Sequence, residues 1–592
     1  MEPFRRVPVR VSLFFFASYM AIFAFGCSQA PVTVFVSPQA IAIDTGGTVQ
    51  FTPIATNGSG VTWSASAGTI SADGVYTAPS GSQSMTVTVT AKSVVDHTKS
   101  GTAIVHVVAP GQVAATTNPQ VASYTIAPAG SGNVLVQFGT STNYGLTTWA
   151  QPIPQTGGPV GFFVAGMRGN TLYHLQGVVQ FADGTQVNDV DHTFTTGSYP
   201  SANLPSLTTS TTAGMTPQSG VEVLDLFNAT TSTVLTAIVT DLNGNVLWAY
   251  DPGASVPAGA GLQPIKLLPN GHFWVTFATG PNGDATSSVS QEVDLSGNIL
   301  WQLTSAQLNQ ELAAAPTSCT ECNVTILGLH HDIAILPNGH IIVLADTQQV
   351  ISGTTVTGDV VIDLDQNRNP VWAWNEFNHL DTDRRPMGWP DWTHTNAVLY
   401  SADDGNLIIS IRHQNWLVKI NYANGSGVGN ILWKLGYQGD FTLENGTDPI
   451  DWFYAQHGPS FTTSNTTGQF SLVLFDNGDD RFSATGLSCG GSGQPVCLYS
   501  TVPLLQLDES AMTATLTFHE TAPAYSFFGG NAELLKNGDI EFCESASGPG
   551  TAGDIYEVTQ DSPSQTIWHM HVTGQYAYRG FRLPSFYPGV QW

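Results

Sequence analysis

The chain has 592 residues, too many for one domain of ordinary size. Lys and Arg total 17 against 44 Asp and Glu, a net charge of −27 that argues against a nucleic-acid-binding surface and repels anions at long range. With 42% apolar residues, 10% charged residues, 60 Gly and 34 Pro, the composition is that of a turn-rich, all-β exported protein.

Residues 1–27 read as an export signal, in which Arg5, Arg6 and Arg10 precede the apolar run VSLFFFASYMAIFAF. That run is short for a membrane span. Ala24-Phe25-Gly26-Cys27 resembles a bacterial lipobox, which makes Cys27 the lipidated first residue of the mature chain and places it in the periplasm, the outer membrane or the cell surface. The alternative is an ordinary signal peptide with Cys27 incidental.

Residues 28–110 alternate in period two, as in VTVFVSPQAIAI, MTVTVTAK and TAIVHVV, with TGG and ADG as turns. Their segment GVTWSASAGTISADGVYTAPS resembles bacterial immunoglobulin-like domains. Residues 111–198 continue in the same style and resemble a fibronectin III-like sandwich. Neither holds a convincing catalytic cluster, and both are spacing or binding modules by default. A Thr/Ser-rich linker is expected at 199–219.

Residues 220–592 repeat. One strand type is a turn followed by Trp: GNVLWAY, GNILWQL, RNPVWAW, GNILWKL and SQTIWHM, with MTATLTF carrying Phe518 in place of Trp. A second type is an apolar run, a turn such as NG and another strand, as in IKLLPNGHFWVTF, IAILPNGHIIVLAD, AVLYSADDGNLIIS and AELLKNGDIEF. Repeats of this size predict a six-bladed β-propeller, with GVEVLDL (220–226) expected to join the last blade. The whole chain is therefore expected to be all-β, a propeller preceded by two sandwich domains.

The repeat carries an ionisable ring at one register. Superposing Leu268, Leu336 and Leu399 aligns His331 with His394 and puts Gln263 at the same place in the first copy. The last copy has Gly530 there, and His457 takes the position in the copy between. Alignment favours His331 over its neighbour His330. Asn396 lies two residues beyond His394, on the same strand face. Arg412, one of few cations, ends the strand LIISIR and is expected to return to the channel mouth, where Tyr578, Arg579 and Tyr525 also arrive.

Three readings of the histidines stay open. They are packed core residues, a His₃ metal site, or an anion site; Arg412 beside them opposes a dication and suits an oxyanion. Cys319 and Cys322 are a zinc pair or, after export, a local disulfide. Cys489 and Cys497 flank GGSGQPV and are expected to pair, while Cys543 is expected to be a buried thiol. The acidic run DNGDDR (476–481) is read as a solvated turn.

DWTHTNAVLYSADDGNLIISIRHQ, GLHHDIAILPNG, YAQHGPSF, FDNGDD and AYRGF together resemble the bacterial arylsulfate sulfotransferases over about 220–592. The resemblance implies transfer of a sulfuryl group from a phenolic sulfate ester to another phenol, without a nucleotide donor, cofactor or metal. It implies that His457 is the residue sulfated, with His331, His394, Asn396 and Arg412 as sulfate-binding partners. The partners implied are a small-molecule aryl sulfate and a phenolic acceptor, with the membrane reached through the lipid anchor. The family's homodimer is also admitted, although two sandwich modules stand here where that family has one. The rival class is a surface-anchored binding or adhesion protein without catalysis.

Overall fold

The computed structural model describes residues 32–592 apart from 57, 228–233, 281–284, 464–466, 487–497 and 548–550. The expected lipidation site Cys27 and the expected Cys489–Cys497 pair lie outside the described residues. The described residues are all-β, built mainly from antiparallel sheets, with three short α-helices among them.

The chain divides into two compact units. The first holds residues up to 81 together with 86–107. Its main sheet orders Ala40–Asp44, Ser100–Val108, Met85–Ser93 and Val61–Ala65. Alternation along Met85–Ser93 buries Val87, Val89 and Ala91 on one face and leaves the intervening residues more exposed. Phe51 and Tyr76 fill the interior beside them.

The second unit contains residues 108–592. Residues 112–195 form two sheets whose core includes Tyr124, Val134, Val136, Phe138 and Leu175. The C-terminal residues of the same unit return to them: Tyr587 Oη donates to the Phe163 carbonyl and Trp592 Nε1 to the Thr147 carbonyl.

Among the described residues, six sheets of four or five strands follow. Their first strands are labelled here β1 (Val221–Phe227), β2 (Gly261–Leu267), β3 (Ile326–Ile335), β4 (Thr395–Ser401), β5 (His457–Phe461) and β6 (Asn531–Leu534). The C-terminal strand β7 (Tyr576–Leu583) pairs with β1 and completes that sheet. Successive first strands touch in turn, β1 with β2 through to β6 with β7, so the contacts run in a cycle. GVEVLDL therefore belongs to the first sheet and not the last, because its ladder partners are Ala237–Thr240 and β7. The last sheet is extended at its outer edge by Ser206–Thr211, a strand inside the segment expected to be a linker.

The Trp-bearing segments are the outer strands of these sheets. Each hydrophobic cluster sits between two successive sheets, for example Ile342, Leu344, Trp374, Leu407, Ile409 and Val418 between the third and fourth. The indole N–H reaches across the same gap to a turn of the next sheet. Trp248 donates to the Leu295 carbonyl, Trp374 to Gly429 and Trp568 to Leu242, each at 2.7–2.8 Å. Burying one such ring contributes about 3–5 kcal/mol by comparison with alanine. The hairpins between first and second strands close on Gly271 and Gly339, whose φ of 80° and 82° only glycine adopts without penalty.

Cys319 and Cys322 form a disulfide, which settles the zinc alternative for that pair. Cys543 is a buried free thiol, as expected.

Candidate active site

The inner strands break their own regularity at the histidine register. Between His330 and Ile333 on β3, Thr395 and Ala397 on β4, and His457 and Ser460 on β5, the ladder shifts by a bulge. His331 and His394 both adopt left-handed backbone, with φ of 59° and 53°. That conformation costs a non-glycine residue about 1–3 kcal/mol. Gly530, their counterpart in the last repeat, shares it with φ of 95°. The His457 hairpin reaches the site differently, with positive φ at Ala455 and Gly458 on either side of the ring. At Gly458 a Cβ would fall 2.4 Å from that of Asn531, so no side chain fits there.

His331, His394, His457 and Arg412 line one cavity of about 480 Å³ together with Tyr578 and Gln263. Phe227, Phe527, Phe528 and Tyr576 complete its wall. The His331 and His394 ring centroids are 4.8 Å apart, and Tyr578 lies 5.8 Å from His331 and 6.2 Å from His457.

His457 is oriented from behind. The Asn477 amide donates to the Ser526 carbonyl at 2.7 Å and the Gly529 carbonyl at 3.1 Å, which fixes its Oδ1 as the acceptor for His457 Nδ1 at 2.7 Å. Nδ1 therefore carries the proton, and Nε2 keeps its lone pair, met only by the Gly529 N–H at 3.3 Å. Burial first, then the nearby Arg412, hold the ring well below the ordinary imidazole range, so it is neutral.

His394 Nδ1 lies 2.7 Å from Asp391 Oδ2, and its ring stacks on His413 at 4.9 Å. Burial lowers His413 to about 3. Arg412 is held by Asp479 at 2.7 Å and by the Phe527 carbonyl at 3.1 Å, with Nη1 against His413 Nε2. Its Nε–H is buried without a hydrogen-bond acceptor among the described residues. The Tyr578 hydroxyl is likewise buried without a partner. Two donors are thus left unsatisfied on the residues that line the cavity.

The other sequence-derived candidates stand one layer back. Tyr525 donates to Asp479 Oδ1 at 2.8 Å and so braces the carboxylate that holds Arg412. Asn396 is fully buried and its side-chain amide donates to the Gln456 carbonyl, while its backbone carbonyl accepts from Arg579. Arg579 pairs with Asp332 at 3.3 Å. His330 lies behind His331, with their Nδ1 atoms 2.6 Å apart.

DNGDDR is not a solvated turn: Asp476, Asn477, Asp480 and Arg481 are all buried. Arg481 pairs with Asp476, which also accepts from Thr501 and the Tyr454 N–H, so the run is a braced corner carrying Asn477 and Asp479. Asn477, Asp391, Asp479 and the Phe527-Phe528 pair were not singled out from the sequence. Of these, Asn477 and Asp479 had a signal inside the FDNGDD motif, and Asp391 as the first residue of DWTHTNAVLYSADDGNLIISIRHQ. Among the described residues, two sets have metal-ligating atoms within 4.8 Å of one another: Asp391, His394 and His413, and His330, Asp346 and Asp359. The trio His331, His394 and His457 is not one of them.

No curated protein matches the chain. Among solved structures, cobalt-substituted Synechocystis apocarotenoid oxygenase aligns with TM-score 0.29 and 11% identity over 78% of this chain and 96% of its own. The ICAM-5 D1–D4 ectodomain fragment aligns with TM-score 0.16 and 9% identity over 57% of this chain and all of its own. Likenesses this low bear on neither fold nor function. The family model described as Arylsulfotransferase (ASST) matches residues 209–579, which includes every residue lining the cavity. The chain belongs to the arylsulfotransferase (ASST) family, and membership implies a sulfotransferase enzyme.

Proposed function

We propose that the protein moves a sulfuryl group from a phenolic sulfate ester to a phenolic acceptor in two displacements through a sulfo-histidine at His457. The carrying observation is the His457–Asn477 contact, which leaves a neutral, buried imidazole with a lone pair on Nε2. In the first displacement the His457 Nε2–S bond forms as the S–O bond to the phenol breaks. In the second, the acceptor oxygen attacks sulfur and His457 leaves. Sulfuryl transfer, like phosphoryl transfer, has a loose transition state, so catalysis consists mainly of positioning and charge stabilisation. The unsatisfied Arg412 Nε–H and Tyr578 O–H suit the sulfuryl oxygens. His331 and His394 stand where a proton donor to the leaving oxygen is needed.

The aromatic wall suits an aryl ring: Phe528 lies 4.8 Å from Phe527 and 5.1 Å from Tyr576. The cycle of six sheets, each of four or five strands, supports a six-bladed propeller with the site at its axis. The same reading places the enzyme outside the cytoplasm as a lipoprotein, behind two sandwich modules. The disulfide between Cys319 and Cys322 accords with an oxidising compartment.

A metal-assisted reaction is the second reading, favoured by the grouping of Asp391, His394 and His413. Mixing the protein with an aryl sulfate in the absence of acceptor separates the two. One equivalent of phenol is expected in a rapid burst, then turnover only when an acceptor phenol is added. His457→Ala is expected to lose both while keeping its circular dichroism and melting transition. Normal turnover by that variant, or loss of wild-type activity on chelation, overturns the proposal.

A further inference from the structure

In a regular strand, successive side chains point to opposite faces. His330 and His331 do not, because His331 sits in left-handed backbone at the bulge of β3. Their rings meet edge to face with centroids 4.7 Å apart and Nδ1 atoms 2.6 Å apart. A contact that short holds one proton: two lone pairs would repel and two N–H groups would clash. On its far side, His330 Nε2 lies 3.0 Å from Asp359 and 3.5 Å from Asp346, within ion-pair distance of both although neither contact has hydrogen-bond geometry. Both carboxylates are anchored. Asp359 Oδ2 accepts from Thr393 Oγ1 at 2.5 Å and from the Thr395 N–H at 3.0 Å, and Asp346 accepts from the Ala285 N–H. A continuous line thus runs from two buried carboxylates through His330 and His331 to the cavity.

We propose that His330 is the proton reservoir of the reaction, a positioning residue that acts through His331. The proposal rests on the sulfo-histidine reading above. In the resting state His330 holds both ring protons, its Nδ1–H donated to His331 Nδ1, so that His331 presents Nε2–H to the cavity. As the donor's S–O bond breaks, His331 Nε2–H passes to the phenolate oxygen and the His330 Nδ1 proton moves to His331 Nδ1. His330 is left neutral, with Nε2–H against Asp359. In the second displacement the acceptor phenol gives its proton to His331 Nε2, and the His331 Nδ1 proton returns to His330. Protons balance over the cycle.

The fields agree with this direction. Burial works against charge on His330, but Asp346 and Asp359 outweigh it and raise the ring above its ordinary value despite opposition from His394. Burial, then His330, His394, His457 and Arg579, hold His331 well below its own. Burial, then Asp359, raise Glu376 well above the ordinary carboxyl range, which disfavours a third carboxylate charge beside the line. The proton is therefore kept one residue behind the group that delivers it.

The test compares phenol release from phenyl sulfate, whose leaving phenolate needs a proton, with release from 4-nitrophenyl sulfate, whose leaving group departs as an anion. His330→Gln is expected to slow release from phenyl sulfate about 10²-fold. Release from the nitro ester is expected to fall by no more than about tenfold. Asp359→Asn should show the same donor selectivity, and it carries the test if His330→Gln does not fold. Equal losses on the two donors, or no loss, overturn the relay alone, provided the wild type transfers sulfuryl groups. A wild type inactive on both donors overturns the relay and the transferase reading together. A stoichiometric transition metal, released by Asp359→Asn, also overturns the relay, because a metal on Nε2 leaves no proton to store.

Discussion

His457, Arg412 and Tyr578 differ from ordinary buried polar residues in what their neighbours leave undone. His457 is satisfied at Nδ1 by Asn477 and keeps its lone pair on Nε2, met by the Gly529 N–H at 3.3 Å. Arg412 is satisfied at Nη2 by Asp479 and the Phe527 carbonyl and at Nη1 by His413 Nε2, but not at Nε. Tyr578 has no partner for its hydroxyl, and an unsatisfied buried group costs about 1–3 kcal/mol. Tyr578→Phe is accordingly expected to leave the melting temperature unchanged or higher. The same variant should lower kcat/KM for an aryl sulfate about tenfold, the equivalent of one hydrogen bond of about 1.4 kcal/mol. A variant that is less stable and fully active would show the hydroxyl to be structural. His331, His394 and His457 were legible because a repeat exposed them at one register. Asn477 was not, because its role depends on which backbone carbonyls its amide meets, and no spacing encodes that. Asn396, a sulfate-binding partner by resemblance, and Tyr525, expected at the channel mouth, donate to the Gln456 carbonyl and to Asp479. Their proximity to the site was visible in the sequence, but their depth was not.

Among the elements, the first strands carry the chemistry and the outer strands carry the packing. The alternation of apolar residues and the NG turns made the hairpins legible, and the Trp copies marked the outer strands. The bulges were not legible. They arise where His331 and His394 take left-handed backbone, and neither residue type announces it. The closing arrangement was also misread at GVEVLDL, since a strand that pairs with the next strand and with one at the far end of the chain has the same pattern whichever sheet it joins. The acidic corner at 476–481 looked like a surface turn because its charges are balanced internally, by Arg481 against Asp476 and Arg412 against Asp479. Long-range ion pairs of this kind leave no periodic trace.

Across the whole molecule, buried ionisable groups set the pH range in which the fold is most stable. Burial raises Asp225 and Glu544 to about 8, well above the carboxyl range of the unfolded chain. The native state binds these protons more tightly, so their contribution to stability declines as pH rises through the unfolded values and levels off only above about pH 8. His331 and His457 work in the other direction: both are held below their ordinary value, so stability is lost as pH falls below about 6.5. The melting temperature is therefore expected to fall between about pH 6.5 and 8, with a shallower slope in Asp225→Asn. A rise over that interval would contradict the assignment. The central claim is that the sulfuryl group rests on His457 between donor and acceptor. Intact-protein mass measurement with peptide mapping, after addition of an aryl sulfate without acceptor, tests it most directly. The account predicts one sulfo group, located on the peptide containing His457, absent in His457→Ala and removed by adding a phenol. An unmodified protein that nonetheless transfers sulfuryl groups, or a sulfo group on another residue, would contradict it.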